Sequence, residues 1–436
     1  MADRHARTVL MLQGPPCRFW RELGDGFRAA GVRVIHVGVC LADVALWRRP
    51  DLRLYRGGLA AWPGWLERLI RLEGVDDIFY YADRQPYHAA AIEVARRLGR
   101  RAWAIENGYL RPDWITMEPE AMGAFSRFPR SPREIRRLAG AAPPPDLRPR
   151  HRHSFAREAS SEVVFHLLMT AGRPLFPRYV TGKHYPPVLD YLSWLRKWAA
   201  GSGALPAETA LRARGPFFLL AMQLQSDYQI RASSPYRCLS EMIRETLASF
   251  ARHAPRESRL VVKLHPMDNG WERWPRRIRA AAAAEGVAAR VQVIEGGALD
   301  ELLARARGLV TVNSTTGLQA MRLGCPVIAL GDAVYDVPGL TSGQGLDRFW
   351  RAPEPADPEL LATYLAALSG WIQVRGSFYD PAGRRAAISE IVRRLGEADA
   401  YWRLHRPLTE LGTCRRARRA AGDAPDAAVA AAPGRV

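Results

Sequence analysis

Two Rossmann-like α/β domains are what this sequence predicts, on three observations. Short apolar runs, of the kind that make strands buried on both faces, alternate with longer stretches at helical period. Polar clusters fall directly after those runs, where an open parallel sheet presents its ligand-binding loops. The alternation occurs twice, before residue 128 and after residue 216, on either side of an Arg-, Pro- and Ala-rich stretch followed by a helical one.

In chain order, residues 8–13 read as a strand closed by Gly14-Pro15-Pro16 in a phosphate-loop-like turn, 19–30 as a helix and 32–39 as a strand. That turn lacks GxGxxG and a Walker lysine, so it is no dinucleotide fingerprint. A strand at 77–81, a helix at 89–98 and a strand at 101–105 follow. Residues 128–155, which include Pro143-Pro144-Pro145, read as a loop excursion, and 161–200 as helical, with a Trp/Leu/Tyr stripe near 188–198 read as core.

The second unit begins with a strand from residue 217 and continues through a helix at 236–252, a strand at 259–264, a helix at 272–285 and a strand at 290–294. A helix at 299–306, a strand at 308–312, a helix at 316–323 and a strand at 326–330 complete it. Residues 356–412 read as helices that pack back on the first unit, and 413–436 as a disordered basic tail containing Arg415, Arg416, Arg418 and Arg419. The predicted divisions are therefore 1–210, 211–355, 356–412 and 413–436.

Composition narrows the function classes. The 436 residues are enough for two or three domains, and the formal net charge of +19, nearly all from arginine, fits an anionic partner or a GC-rich genome. Five dispersed cysteines without CxxC spacing exclude a disulfide framework or zinc knuckle and favour a reducing compartment. The N-terminus lacks the apolar core of a signal peptide, and no stretch reaches the ~20 apolar residues of a membrane span. Scattered arginines with no stacking-platform motif argue against nucleic acid.

The chemistry sits after the strands. Lys263 and His265, just inside and just beyond a strand end and followed by Pro266, place two potential cationic donors where a phosphate would rest. The alternative is a snorkelling edge lysine and a turn histidine. Gln223, Gln225, Asp227, Gln229 and Arg231 follow the strand from 217 and suit base, ribose or sugar hydroxyls. Asn313, Ser314 and Thr315 precede a helix, as a phosphate cradle or as an ordinary N-cap. Among the carboxylates Asp83, Glu106, Asp113 and Glu118, Glu106 is best placed, at a strand end beside a turn glycine. A carboxylate there can serve as base, nucleophile or electrostatic stabiliser of an oxocarbenium-like state, while Asp83 also reads as an Asx-turn residue. Neither a DxD motif nor a His/Cys ligand set is evident, so no metal and no cofactor are expected.

Several of these strings resemble one family. Ala-Asp-Arg-Gln-Pro-Tyr at 82–87, Glu-Asn-Gly-Tyr-Leu-Arg-Pro-Asp-Trp-Ile-Thr-Met-Glu at 106–118, Gln-Leu-Gln-Ser-Asp-Tyr-Gln-Ile-Arg at 223–231, Lys-Leu-His-Pro at 263–266 and Val-Asn-Ser-Thr-Thr-Gly-Leu-Gln-Ala at 312–320 are similar, in order, to the capsule polysaccharide biosynthesis family of KpsS and LipB type. So is 331–350. The resemblance implies a glycosyltransferase-B-like pair of domains, with the sugar and acceptor on the first and the nucleotide on the second. The implied activity is a retaining β-Kdo (3-deoxy-D-manno-oct-2-ulosonic acid) transferase using CMP-Kdo to build a Kdo linker on lyso-phosphatidylglycerol. It implies work at the inner face of the cytoplasmic membrane, beside a capsule synthesis or export complex.

Carried over by motif, Gln85-Pro86, His265-Pro266 and Ser314-Thr315 are the donor-site positions, Arg111 lies in a matching string, and Glu106, Asp83 and Glu118 serve the sugar side. Asn107 stands where the double-length relatives carry a second acid. The rival readings are another sugar-nucleotide enzyme, such as an epimerase, and a non-catalytic export component.

Overall fold

The parallel strands that open each unit bury both faces, and the side chains alternate accordingly. Val9 and Met11 pack on one side of the first sheet and Leu10 and Leu12 on the other. In the second sheet Phe217 and Leu219 face one core, and Phe218 and Leu220 the opposite one. The computed structural model describes residues 7–151, 154–182, 185 and 187–403.

The first sheet contains β1 (Thr8–Met11), β2 (Arg33–Gly38), β3 (Leu52–Leu54), β4 (Asp77–Tyr81), β5 (Arg101–Asn107) and β6 (Trp114–Pro119). The second contains β7 (Leu205–Pro206), β8 (Phe217–Ala221), β9 (Arg259–Lys263), β10 (Val291–Glu295), β11 (Gly308–Thr311) and β12 (Val327–Ala329). A last strand, β13 (Gln373–Arg375), returns to the first sheet. The orders are β13-β6-β5-β4-β1-β2-β3 and β12-β11-β8-β9-β10-β7. The fold is thus the expected α/β pair of Rossmann-like sheets, with C-terminal helices crossing back onto the first.

Three features depart from the sequence reading. β6 runs antiparallel to β5, and β13 antiparallel to β6, so the first sheet is mixed rather than parallel. β7 pairs with β10, and Ala207 and Ala210 join the core of the second sheet, so residues 205–210 belong with the second unit and the division falls before 205. The supposed loop at 128–155 contains the helix Pro132–Ala139, which packs on Pro358–Trp371.

The C-terminal crossing is held by both packing and charge. Asp357 and Asp380 cap the helices Pro358–Trp371 and Pro381–Gly396 by accepting their first free backbone N–H groups. Pro381–Gly396 lies on Phe19–Ala29, where any side chain in place of Gly26 would meet Ile388 at 2.8 Å, and Arg384 pairs with Glu22 at 2.8 Å. The Gly14 turn is not a phosphate cradle, because the Trp20 ring fills it and the indole N–H donates to Leu12 O (2.6 Å). The basic cluster at 415–419 lies outside the described residues.

Candidate active site between the two sheets

The loops after β4, β5, β8, β9 and β11 converge on one cleft, as the carboxyl ends of open α/β sheets dictate. After β4 the chain turns sharply through Ala82, whose φ of +59° is uncommon for a residue with a side chain. His88 Nδ1–H donates to Ala82 O (3.0 Å) and holds this turn. It buries Asp83, which accepts from Met122 N–H (3.2 Å) and Arg84 Nε–H (3.1 Å). Gln85 and Pro86 follow at the start of the helix Pro86–Arg97, with the Gln85 amide packed against Gly182.

Register fixes the other two acids. Glu106 on β5 stands opposite Thr116, and Ala104 opposite Glu118, so both glutamates lie on one face of the sheet. They nonetheless differ. Glu106 is half-buried, whereas Glu118 is 0% exposed, accepting from Tyr109 Oη–H (2.8 Å) and from the Ser126 hydroxyl. Tyr109 Oη in turn accepts Gly123 N–H (2.8 Å). The expected catalytic role for Glu118 is therefore corrected: its oxygens are spent inside the domain, and it positions the loop at 122–126. Asp113 is likewise structural, accepting from Arg150 N–H (2.6 Å) and His151 N–H (3.1 Å).

The second domain supplies the link across the cleft. Asp227 caps the short helix Tyr228–Ala232 by accepting Gln229 N–H (2.9 Å), which points the Tyr228 ring at the first domain. Tyr228 Oη lies 3.1 Å from Glu106 Oε2 and 3.3 Å from Asp83 Oδ1, and accepts from Gln229 Nε2 (3.0 Å). One hydroxyl proton cannot satisfy two carboxylates. Burial, then the charges of Asp83 and Asp227, push Glu106 up to about 7 against the bond from Tyr228 and the Arg111 charge. Asp83 is raised too, by burial. Arg111, on the exposed side, brings its charge to Glu106, Asp227 and His265.

On the opposite wall Lys263 is buried at the end of β9, its pKa lowered by desolvation. His265 follows half-buried and Pro266 exposed. His265 Nδ1 accepts Met267 N–H (3.0 Å), so its remaining proton is on Nε2. Burial, with Arg111 and Lys263 nearby, lowers its pKa to about 4. The expected pair of cations is thus one cation and one neutral N–H donor.

Gln223 and Asn313 are reassigned. Gln223 Oε1 accepts Asn313 N–H (3.1 Å), its Nε2 donates to Asp227 (3.2 Å) and Asn313 Oδ1 (2.9 Å), and Asn313 Nδ2 reaches Gln229 O and Ser233 O (both 3.3 Å). Both amides lock two loops together and have no N–H donor left for a phosphate. Ser314 Oγ closes the turn before the helix Thr316–Arg322 by accepting Thr316 N–H (3.2 Å) and donating to Thr316 Oγ1 (3.1 Å), while Thr315, at the N-cap, stands beside it, half-buried. Arg231 is exposed at the rim. Among the described residues no group of three His, Cys, Asp or Glu side chains is arranged to hold a metal.

Tyr228, Tyr109 and Arg84 lie within the quoted strings but are not among the expected site residues. The available signal is a tyrosine directly after the loop acid Asp227.

Comparison with known proteins places these residues in a wider set. The family described as "Capsule polysaccharide biosynthesis protein" matches residues 76–379. The capsule polysaccharide export protein KpsS of Escherichia coli is 30% identical over 381 residues, covering 86% of this chain and 97% of that protein. The capsule polysaccharide modification protein LipB of Neisseria meningitidis is 28% identical over 394 residues, covering 86% and 92%. Among solved structures, the Thermosulfurimonas dismutans KpsC β-Kdo 2,7 transferase aligns with a TM-score of 0.47 and 14% identity, over 90% of this chain and 100% of that one. No helix of the described residues is long and apolar enough to cross a membrane.

Proposed function

This chain belongs to the capsule polysaccharide biosynthesis family, and from that premise we propose that it is a retaining β-Kdo glycosyltransferase. CMP-Kdo is the donor, used without a metal or other cofactor, and a lipid, lyso-phosphatidylglycerol, is the acceptor. The enzyme works at the inner face of the cytoplasmic membrane, in the cytoplasm, alongside capsule synthesis and export components.

The observation that carries this reading is the contact of Tyr228 with Glu106 and Asp83, in a cleft whose other wall holds Lys263 and His265. As the bond from the anomeric carbon to the phosphate oxygen breaks, CMP leaves with the bonding electrons, and an acceptor hydroxyl bonds to that carbon from the same face, giving its proton to the departing phosphate. Lys263, Arg111, the His265 Nε2–H and the hydroxyls of Ser314 and Thr315 stabilise that anion. Glu106, ionised, faces the positive charge that develops on the sugar, and Tyr228 holds it in place. A donor with one phosphodiester needs no more positive charge than this wall offers. Gln85 lines the cleft that reaches Tyr228, and Arg231 brings its charge to Asp227.

The test is mass spectrometry of lyso-phosphatidylglycerol incubated with the full chain and CMP-Kdo. A product heavier by whole Kdo residues is expected, in EDTA as well. Turnover of a different nucleotide sugar with CMP-Kdo left intact would overturn the proposal.

A further inference from the structure

The helix Phe155–Ala171 has an apolar face that nothing in the described structure covers. Ala156, Ser160, Val163, Val164, Leu167 and Ala171 recur at three- and four-residue spacing and are all exposed, with Val164 at 52% and Leu167 at 60%. The opposite face, through Phe165, His166 and Met169, packs on the domain. One side of this helix is therefore packed on the domain, while the side carrying Val163, Val164 and Leu167 is bare.

Leu175, 50% exposed just beyond the helix, extends the apolar surface. A contact between Tyr191 and His166 (3.1 Å) joins the helix Pro187–Ala200, which adds exposed Leu189 and Leu192. Arg157, Arg173 and Arg178 are exposed around this surface, whereas Glu158 and Glu162 fall off the apolar stripe. Apolar tips flanked by arginines that can lie along them are the pattern of a helix resting in a membrane interface.

We propose that this face of Phe155–Ala171, with Leu175, docks the protein on a bilayer bearing anionic headgroups. The placement suits the site. Behind the helix lies a cavity of ≈200 Å³ walled by Tyr81, Gln85, Glu162, Phe165 and Tyr179, and Gln85 and Glu162 also wall a ≈270 Å³ cleft that reaches Tyr228. A lipid leaving the interface beside Phe165 would therefore meet the carboxylates head first. This orientation rests on the lipid-acceptor reading above; docking itself does not require turnover.

The experiment is sedimentation of the full chain with phosphatidylcholine vesicles, with and without phosphatidylglycerol. The parent is compared with Val164→Glu/Leu167→Glu and with Arg173→Gln/Arg178→Gln, and light scattering follows oligomeric state. Both pairs are exposed, so melting temperatures should match the parent. The glutamate pair should lower partitioning about tenfold or more by removing buried apolar contact, and the glutamine pair should lower it only on phosphatidylglycerol vesicles.

Equal pelleting of parent and glutamate variant would overturn the proposal, as would a parent dimer that becomes monomeric in the variant without change in vesicle binding. If the parent pellets but transfers no Kdo to any acceptor, the transferase reading fails and the docking face stands.

Discussion

Tyr228 of the second domain lies 3.1 Å from Glu106 of the first, and through this hydroxyl, which also reaches Asp83 at 3.3 Å, the nucleotide-side wall touches the sugar-side acids of the proposed site. Its consequence is electrostatic. The hydroxyl favours the ionised form of Glu106 against burial and the neighbouring acids.

Tyr228→Phe should therefore raise the Glu106 pKa above its value of about 7. The acid limb of the kcat profile should move to higher pH, and kcat at neutral pH should fall by roughly 10- to 100-fold, as for losing a hydrogen bond of ~1.5–3 kcal/mol to a charged group. A pH–rate profile that overlays the parent's would remove Tyr228 from the mechanism.

His265→Ala should lower transfer by on the order of 100-fold, the scale for loss of one preorganised donor to a developing anion. The fold should survive, because His265 is half-buried in a loop beyond β9. The histidine is held neutral above a pKa of about 4, so the parent's activity should show no limb from it between pH 5 and pH 8, the range in which an unperturbed histidine titrates. Parent-like rates in a folded variant would refute the donor role.

What was legible in the sequence follows from what is local. Asp83, Glu106 and His265 could be placed because each directly follows an apolar run, and strand ends are visible in a window of a few residues. The clamp between Gln223 and Asn313 joins positions 90 residues apart and has no local sign. β6 was hidden because Arg111, Pro112 and Asp113 make its approach look like loop, and its partner strand decides its state. β13 has three residues and owes its existence to the edge of β6 more than 250 positions earlier in the chain. Glu106 and Glu118 read alike in sequence; only the hydroxyls of Tyr109 and Ser126, folded over one of them, separate their roles.

The cradle after β11 separates into two residues that a binding assay can tell apart. Thr315→Val should weaken CMP by about 1.5–3 kcal/mol, the cost of a hydrogen bond to a charged group, with the melting temperature unchanged. Ser314→Ala should weaken CMP and also destabilise the protein by about 1 kcal/mol, since its hydroxyl closes the turn before the helix Thr316–Arg322 by accepting Thr316 N–H. Calorimetric CMP titration beside thermal melts checks both; unchanged CMP affinity in the two variants would place the phosphate elsewhere.

Glu118 links the site to stability. Its pKa is raised to about 8, first by burial, with the hydroxyls of Ser126 and Tyr109 opposing the shift. In the unfolded chain a glutamate titrates near ~4.3, so between that pH and about 8 the folded protein holds a proton that the unfolded one has lost. Stability must then fall as pH rises through this window, because the unfolded state binds fewer protons there. Glu106, raised to about 7, contributes in the same direction.

Glu118→Gln keeps the shape. Its carbonyl accepts from Tyr109, and its amide donates to Ser126 Oγ once that hydroxyl, which donates to the Glu118 carboxylate, turns its own proton away. The variant should therefore lose part of the pH slope, with a melting temperature that declines less than the parent's between pH 5.5 and pH 8 and overtakes it at the alkaline end. Parallel melting curves across that range would mean that Glu118 is ionised in the folded protein and that the hydroxyls of Tyr109 and Ser126 outweigh its burial.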